Sequence, residues 1–131
     1  MNVHIARNYN EMSQQAAELI IRQVSRKPES LLCFAAGNTP LGTFSCLAEA
    51  VQAGRISFER CRFISLDEWV GLGASDEGSC RQTLDRHLFE PCGIQERNLH
   101  FFNGLGDDLE AECKAMDEVI GAHGTIDLLL L

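Results

Sequence analysis

The stretch Leu31-Leu32-Cys33-Phe34-Ala35-Ala36-Gly37-Asn38-Thr39-Pro40 constrains the fold most. It begins as an unbroken apolar run too short for a buried helix. Such a run reads as a strand covered on both faces, which is the situation of a parallel sheet between helices. The run breaks into small residues at Ala36-Gly37-Asn38. A helix then opens, with Thr39 expected as its N-cap and Pro40 at its first position. Strand, small-residue loop and helix start together present free backbone N–H groups and a favourable dipole to an anion. The spacing is neither G-x-G-x-x-G nor a P-loop, since no Gly-Lys-Ser/Thr follows. By itself it fits an ordinary strand-to-helix turn equally well.

The rest of the chain repeats that alternation. Val3-His4-Ile5 reads as a brief edge strand. Asn10 is expected to cap a helix whose face carries Met12, Ala16, Leu19, Ile20 and Val24, and Pro28 ends it. Leu41, Phe44, Leu47, Ala48 and Val51 follow a 3.6-residue period up to Gly54. Arg62–Leu66 is the second strong strand. Ser79 with Gln82 fits a capping box before Leu84 and Leu88, and Pro91 stops that helix. Asn98–Phe102 is a third strand candidate. Asp107 or Asp108 caps a helix with the stripe Leu109, Cys113, Met116, Val119 and Ile120, closed by Gly121 or Gly124. Ile126–Leu131 is a fourth strand. The expected fold is α/β: a Rossmann-like open, mostly parallel sheet with helices on both faces and right-handed crossovers. Residues 1–131 read as one unit without repeats or linkers. Because the last strand has no loop after it, the unit reads as the N-terminal part of a larger single domain.

Composition narrows the partners. The formal net charge of -8 disfavours nucleic acid and anionic membranes. It leaves room for a small anionic ligand held by local N–H groups. Of the six cysteines, no two form a C-x-x-C pair. His4, His87, His100 and His123 are read as surface, helix-end or strand residues, so no metal and no cofactor is expected. Cysteines in strands and on the apolar face at Cys113 read as free buried thiols. No basic segment followed by an apolar run stands at the N-terminus, and Leu128–Leu131 is too short to span a bilayer, so a reduced cytoplasmic setting is expected.

Asp67 is the leading candidate for chemistry. It falls at the carboxyl end of a predicted central strand, where open α/β sheets place their ligands, and a carboxylate in that crevice can serve as a general base. The competing reading is an Asp that caps its own turn. Glu68 points the opposite way along an extended backbone and reads as structural. No serine stands in a G-x-S-x-G elbow.

These motifs resemble one family. Leu31–Phe44, LLCFAAGNTPLGTF, is similar to the sugar-phosphate loop of glucosamine-6-phosphate deaminases. That group also includes the 6-phosphogluconolactonases. Ala53–Leu72, AGRISFERCRFISLDEWVGL, resembles the family run that ends in Asp-Glu-aromatic-Val-Gly-Leu. Asn98-Leu99, Asn103-Gly104 and Leu109–Cys113 also fall in family order. The resemblance implies that Asp67 moves a proton between C2 and C1 of an opened amino sugar. It implies that Ala36, Gly37, Asn38 and Thr39 bind the sugar phosphate. The implied partner is thus a small sugar phosphate. Relatives range from monomers to hexamers, so a homo-oligomer is admitted.

Two departures stand out. Asn38 replaces the usual Gly or Ser, and Ser79-Cys80-Arg81 stands where Ser-Tyr-Tyr is typical. They suggest a divergent branch, similar to galactosamine-6-phosphate isomerase/deaminases. The resemblance places a ring-opening His, and an Arg and Lys for the phosphate, after the strand ending at Leu131. A chain limited to these 131 residues is therefore expected to lack deaminase and isomerase turnover. A lactone hydrolase and a non-catalytic sugar-phosphate sensor are the alternative readings.

Overall fold

The computed structural model describes residues 3–131. In chain order the main elements are α1 (Tyr9–Arg26), β1 (Leu31–Phe34), α2 (Leu41–Gln52), β2 (Arg62–Ser65), α3 (Cys80–Leu84), β3 (Leu99–His100), α4 (Leu109–His123) and β4 (Leu128–Leu130). A π-turn over Asp85–Phe89 continues α3. The sheet order is β3-β2-β1-β4 with every pairing parallel. β1 is central. Its Leu32, Cys33 and Phe34 lie opposite Phe63, Ile64 and Ser65 on one side and Leu128, Leu129 and Leu130 on the other.

The apolar character of β1 on both faces is explained by what covers it. Leu32, Phe34 and Phe63 pack under α1, α2 and α3 in the larger core. Leu31, Cys33 and Ile64 pack on the opposite face against Met116 of α4, flanked by Val119 and Ile120. Alternate residues of one strand thus serve two layers. In the larger core Phe63 is the hub, with ring centroids 5.8 Å from Phe34, 5.6 Å from Phe58 and 5.4 Å from Phe89. All three contacts are edge-to-face, the arrangement favoured by the aromatic quadrupole.

Several local expectations are corrected. Val3–Ile5 forms no strand: it has no ladder partner, and Ile5 is fully in solvent. The N-cap of α1 is Asn8, not Asn10. Its side chain accepts the Glu11 amide at 2.9 Å, while the Glu11 carboxylate reaches back to the Arg7 amide at 2.6 Å. The buried stripe of α1 is Ser13, Ala17, Ile20, Ile21 and Val24, so Met12 and Leu19 lie outside it. The cause is the crossing with α2. A Cβ at Gly42 would collide with the Ser13 side chain and the Tyr9 ring, so α1 presents its small residues there.

Thr39 caps nothing. Pro40 occupies the cap position of α2 without a side-chain bond. The Tyr9 hydroxyl takes over the role, accepting the Gly42 amide at 2.8 Å. β3 is shorter than Asn98–Phe102, because its ladder with β2 runs only from Phe63–Leu99 to Ile64–His100. Asp108 caps α4 through the Ala111 amide, and Gly124 at φ 106° ends it. Cys113 is exposed rather than buried. Only the later turns of α4 meet the sheet. Ser79 does cap α3, accepting the Gln82 amide at 3.0 Å. The partner Gln82 side chain bonds the Gly78 amide instead of that of Ser79.

The amino ends of the strands are closed by Asp127. Its carboxylate accepts Lys27 Nζ at 2.8 Å, the Leu31 amide at 2.9 Å and His123 Nε2 at 3.2 Å. His123 is therefore a largely buried helix-end residue with a partner, not a free surface group. Burial pushes the Asp127 carboxyl up, but the bonds from Lys27, Leu31 and His123 outweigh it and hold the group below its ordinary 3.8. A depressed folded-state pKa stabilises the fold above the unfolded value and loses that contribution as pH falls through the folded one. Stability should therefore drop with acid below about pH 4, the unfolded Asp range. Urea midpoints taken across that window should fall less steeply in Asp127→Asn. An unchanged slope would remove Asp127 from the acid response.

Among the described residues no helix is long and apolar enough to cross a membrane, and no cluster of three metal-ligating side chains occurs.

Candidate active site

Parallel strands deliver their following loops to one end of the sheet. Here the carboxyl ends of neighbouring β1 and β2 carry the two loops that contain every candidate residue. The ladder continues one step past the strands, with the Ala35 amide on Leu130 O at 3.0 Å and the Leu66 amide on Phe34 O at 3.4 Å. After that step the two chains leave the sheet.

The first loop, 35–40, turns at Gly37. Its φ of 141° lies in the region that L side chains avoid, although a Cβ there would meet nothing within 4 Å. Backbone conformation, not space, requires glycine. Ala36 is half-buried; Gly37, Asn38 and Thr39 are exposed. Among the described residues, the amides of Ala36 to Thr39 donate to no protein acceptor. Four neighbouring amides at a loop-to-helix junction are the donors that an anion would use. Tyr9 holds this loop from α1. Its hydroxyl lies 3.0 Å from Thr39 O and 3.3 Å from Asn38 O, and it also accepts the Gly42 amide. Sequence reasoning missed Tyr9, and no spacing links it to residues 29 to 33 positions away.

The second loop, 66–79, is laced at both ends. Glu68 accepts the Trp69 amide at 2.8 Å, the Cys80 amide at 2.9 Å and the Arg81 amide at 2.9 Å. One carboxylate thereby caps α3 and pins the loop to it, in keeping with the structural role read for Glu68. Further out, the Gly71 amide donates to Gly104 O at 2.7 Å. A side chain at Gly104 would collide with the carbonyls of Trp69 and Leu72, so only glycine permits this approach.

Asp67 sits in that loop, exposed rather than set in a partly buried crevice. Its Oδ1 lies 3.8 Å from Cys80 Sγ. It borders a cleft of about 290 Å³ with Leu66, Phe102, Leu109 and Cys113. Ala36–Thr39 do not line that cleft. The structure brings them to the same end of the sheet as Asp67, one strand over. Burial, with Asp67's charge second, pushes the Cys33 thiol up to about 11. Burial, then Asp67 and Glu68, pushes Cys80 up to about 12. Both are thiols rather than thiolates at neutral pH. Arg81 is not free for a ligand: its guanidinium binds Asp85 at 2.8 Å, pairs with Glu96 and stacks 4.8 Å above Phe101.

Comparison with known proteins places the chain among related sequences and folds. The chain is 42% identical over 126 residues to glucosamine-6-phosphate deaminase of Geobacillus sp. (strain WCH70), covering 96% of this chain and 50% of the relative. It is 38% identical over 131 residues to the enzyme of that name from Thermoanaerobacter sp. (strain X514), covering 100% and 52%. The chain thus spans about half the length of the curated relatives it matches. A monomeric glucosamine-6-phosphate deaminase structure superposes with a TM-score of 0.95 at 32% identity, over 100% of this chain and 54% of that one. A 6-phosphogluconolactonase from Thermotoga maritima shares the fold, with a TM-score of 0.74 at 22% identity over 89% and 53%. With the family model of glucosamine-6-phosphate isomerases/6-phosphogluconolactonase matching residues 6–131, the chain belongs to that family.

Proposed function

We propose that these residues form the N-terminal part of the single catalytic domain of an amino-sugar-6-phosphate isomerase/deaminase. The observation that carries this reading is the pairing of Asp67 with the loop of unpartnered amides at 36–39. They sit at the ends of adjacent parallel strands, in a chain with deaminase relatives. Gly37, Asn38 and Thr39, with Ala36 behind them, hold the phosphate by backbone N–H groups, and Thr39 adds its hydroxyl. That grip fixes the distance from the phosphate to the reacting carbons. Asp67 takes the C2 proton of the open-chain amino sugar, which is acidic because C1 is an aldehyde. The electrons move into an enolamine. Asp67 returns the proton to C1, and water hydrolyses the resulting imine to a ketose phosphate and ammonia. A carboxylate suits a step that removes and restores one proton. A cytoplasmic, carbohydrate-metabolic setting without cofactor or metal belongs to the same reading. The substrate epimer is glucosamine or galactosamine, and the oligomeric state is that of the whole protein.

The test is to give the family-length protein glucosamine 6-phosphate, galactosamine 6-phosphate and 6-phosphogluconolactone side by side. Ammonia with a ketose phosphate from either amino sugar is expected. Lactone hydrolysis without ammonia would replace this reading with the hydrolase. Binding without any turnover would replace it with a sensor.

A further inference from the structure

The side-chain surroundings of Asp67 are sparse. Among the described residues, one side chain bonds its carboxylate, the thiol of Cys80 at 3.8 Å. That thiol is placed by backbone geometry. Cys80 is the first residue of α3, with Ser79 as the N-cap. Glu68 accepts the amides of Cys80 and Arg81, both at 2.9 Å, and so clamps this first turn onto the loop that carries Asp67. The two adjacent acids divide the work. Glu68 holds the backbone of α3, and the first side chain of α3 returns to Asp67 with the Glu68 carboxylate also beside it. Cys80 itself is buried and cannot swing away into solvent.

We propose that Cys80 is a positioning residue for Asp67, its S–H donating to Oδ1 so that Oδ2 is left to exchange the substrate proton. Without this donor the carboxylate of an exposed Asp samples all its rotamers, and the reactive geometry becomes a fraction of them. Burial and the two neighbouring acids keep Cys80 protonated, so the group is a donor throughout the neutral range. The inference rests on Asp67 being the proton-transfer base.

Two measurements test it. In the family-length protein, Cys80→Ala should lower kcat about three- to tenfold, some 0.7–1.4 kcal/mol, with KM unchanged. Cys80→Ser, which keeps a donor of similar size, should recover kcat to within about twofold. In Asp67→Asn the further change of Cys80 to Ala should add nothing. If Cys80→Ala has the wild-type kcat while Asp67→Asn collapses, the positioning role is wrong and the base assignment survives. If Asp67→Asn is itself fully active, the base assignment fails and takes this inference with it. Equal losses in the Ala and Ser variants with a raised KM would mean packing alone, and would overturn the proposal.

The second measurement needs no turnover. In the family-length protein, the infrared S–H stretching band of Cys80, assigned by its loss in Cys80→Ala, should shift to higher frequency in Asp67→Ala, because the thiol loses the carboxylate that accepts its hydrogen bond. An unchanged band would overturn the contact.

Discussion

Asp67→Asn lowers kcat about 10²- to 10⁴-fold, the usual loss when a positioned general base is removed. KM for the amino-sugar phosphate should stay within a few-fold, because the proposed grip on the phosphate lies in the 36–39 loop one strand away. The amide is isosteric and the site exposed, with Cys80 Sγ at 3.8 Å as the side-chain partner, so the fold is undisturbed. Steady-state kinetics of the family-length protein give both parameters. Exchange of the C2 proton with deuterated solvent isolates the step and should stop in the variant. A kcat near wild type would exclude Asp67 from proton transfer and leave the sheet end as a binding site only.

Phe63→Ala destabilises the fold by about 3–5 kcal/mol, the range for deleting a buried aromatic ring. Phe63 is 1% exposed and makes edge-to-face contacts with Phe34, Phe58 and Phe89. Its removal opens a cavity where β1, β2 and the helix layer meet. The loss is large beside a domain stability of about 5–15 kcal/mol, and urea unfolding of the chain should show a much lower midpoint. Trp69→Ala is the control. At 63% exposure, with no core neighbour to lose, it should change stability by less than about 0.5 kcal/mol. Comparable losses in the two variants would show that ring size rather than burial sets the cost.

The layered sheet was legible because the relevant signals are local. Leu31–Phe34 announces itself as an apolar run and Arg62–Ser65 as a short strand built on Phe63 and Ile64, and each is followed by its own turn residues. Ser79 and Asp108 were readable as caps because a cap acts within three residues of itself. The cap of α1 was misread locally, as Asn10 instead of Asn8, but the other failures arose where partners are distant. Met12 and Leu19 fit a helical face as well as Ser13 and Ala17 do. Only the close crossing at Gly42 decides which face is buried. Thr39 had the chemistry of a cap, but Tyr9 arrives from another helix and occupies that place. Cys113 follows the stripe of α4, yet α4 meets the sheet only through its later turns.

For the site the division is similar. That Asp67 and the Ala36–Thr39 loop share one end of the sheet was legible from the sequence, because parallel strands place their following loops there. The contacts that give these residues their surroundings join positions far apart in the chain. Glu68 reaches the amides of Cys80 and Arg81, Gly104 admits the carbonyls of Trp69 and Leu72, and Tyr9 holds Thr39. The sequence by itself determined the α/β layering and which loops follow the central strands, the ones that carry the candidate acid and the candidate anion site, because periodicity, turn chemistry and strand ends are properties of neighbouring residues. The tertiary structure alone decided which helix face is buried, what holds each loop, and that a thiol meets the acid, because those depend on side chains that become neighbours only when the chain has folded.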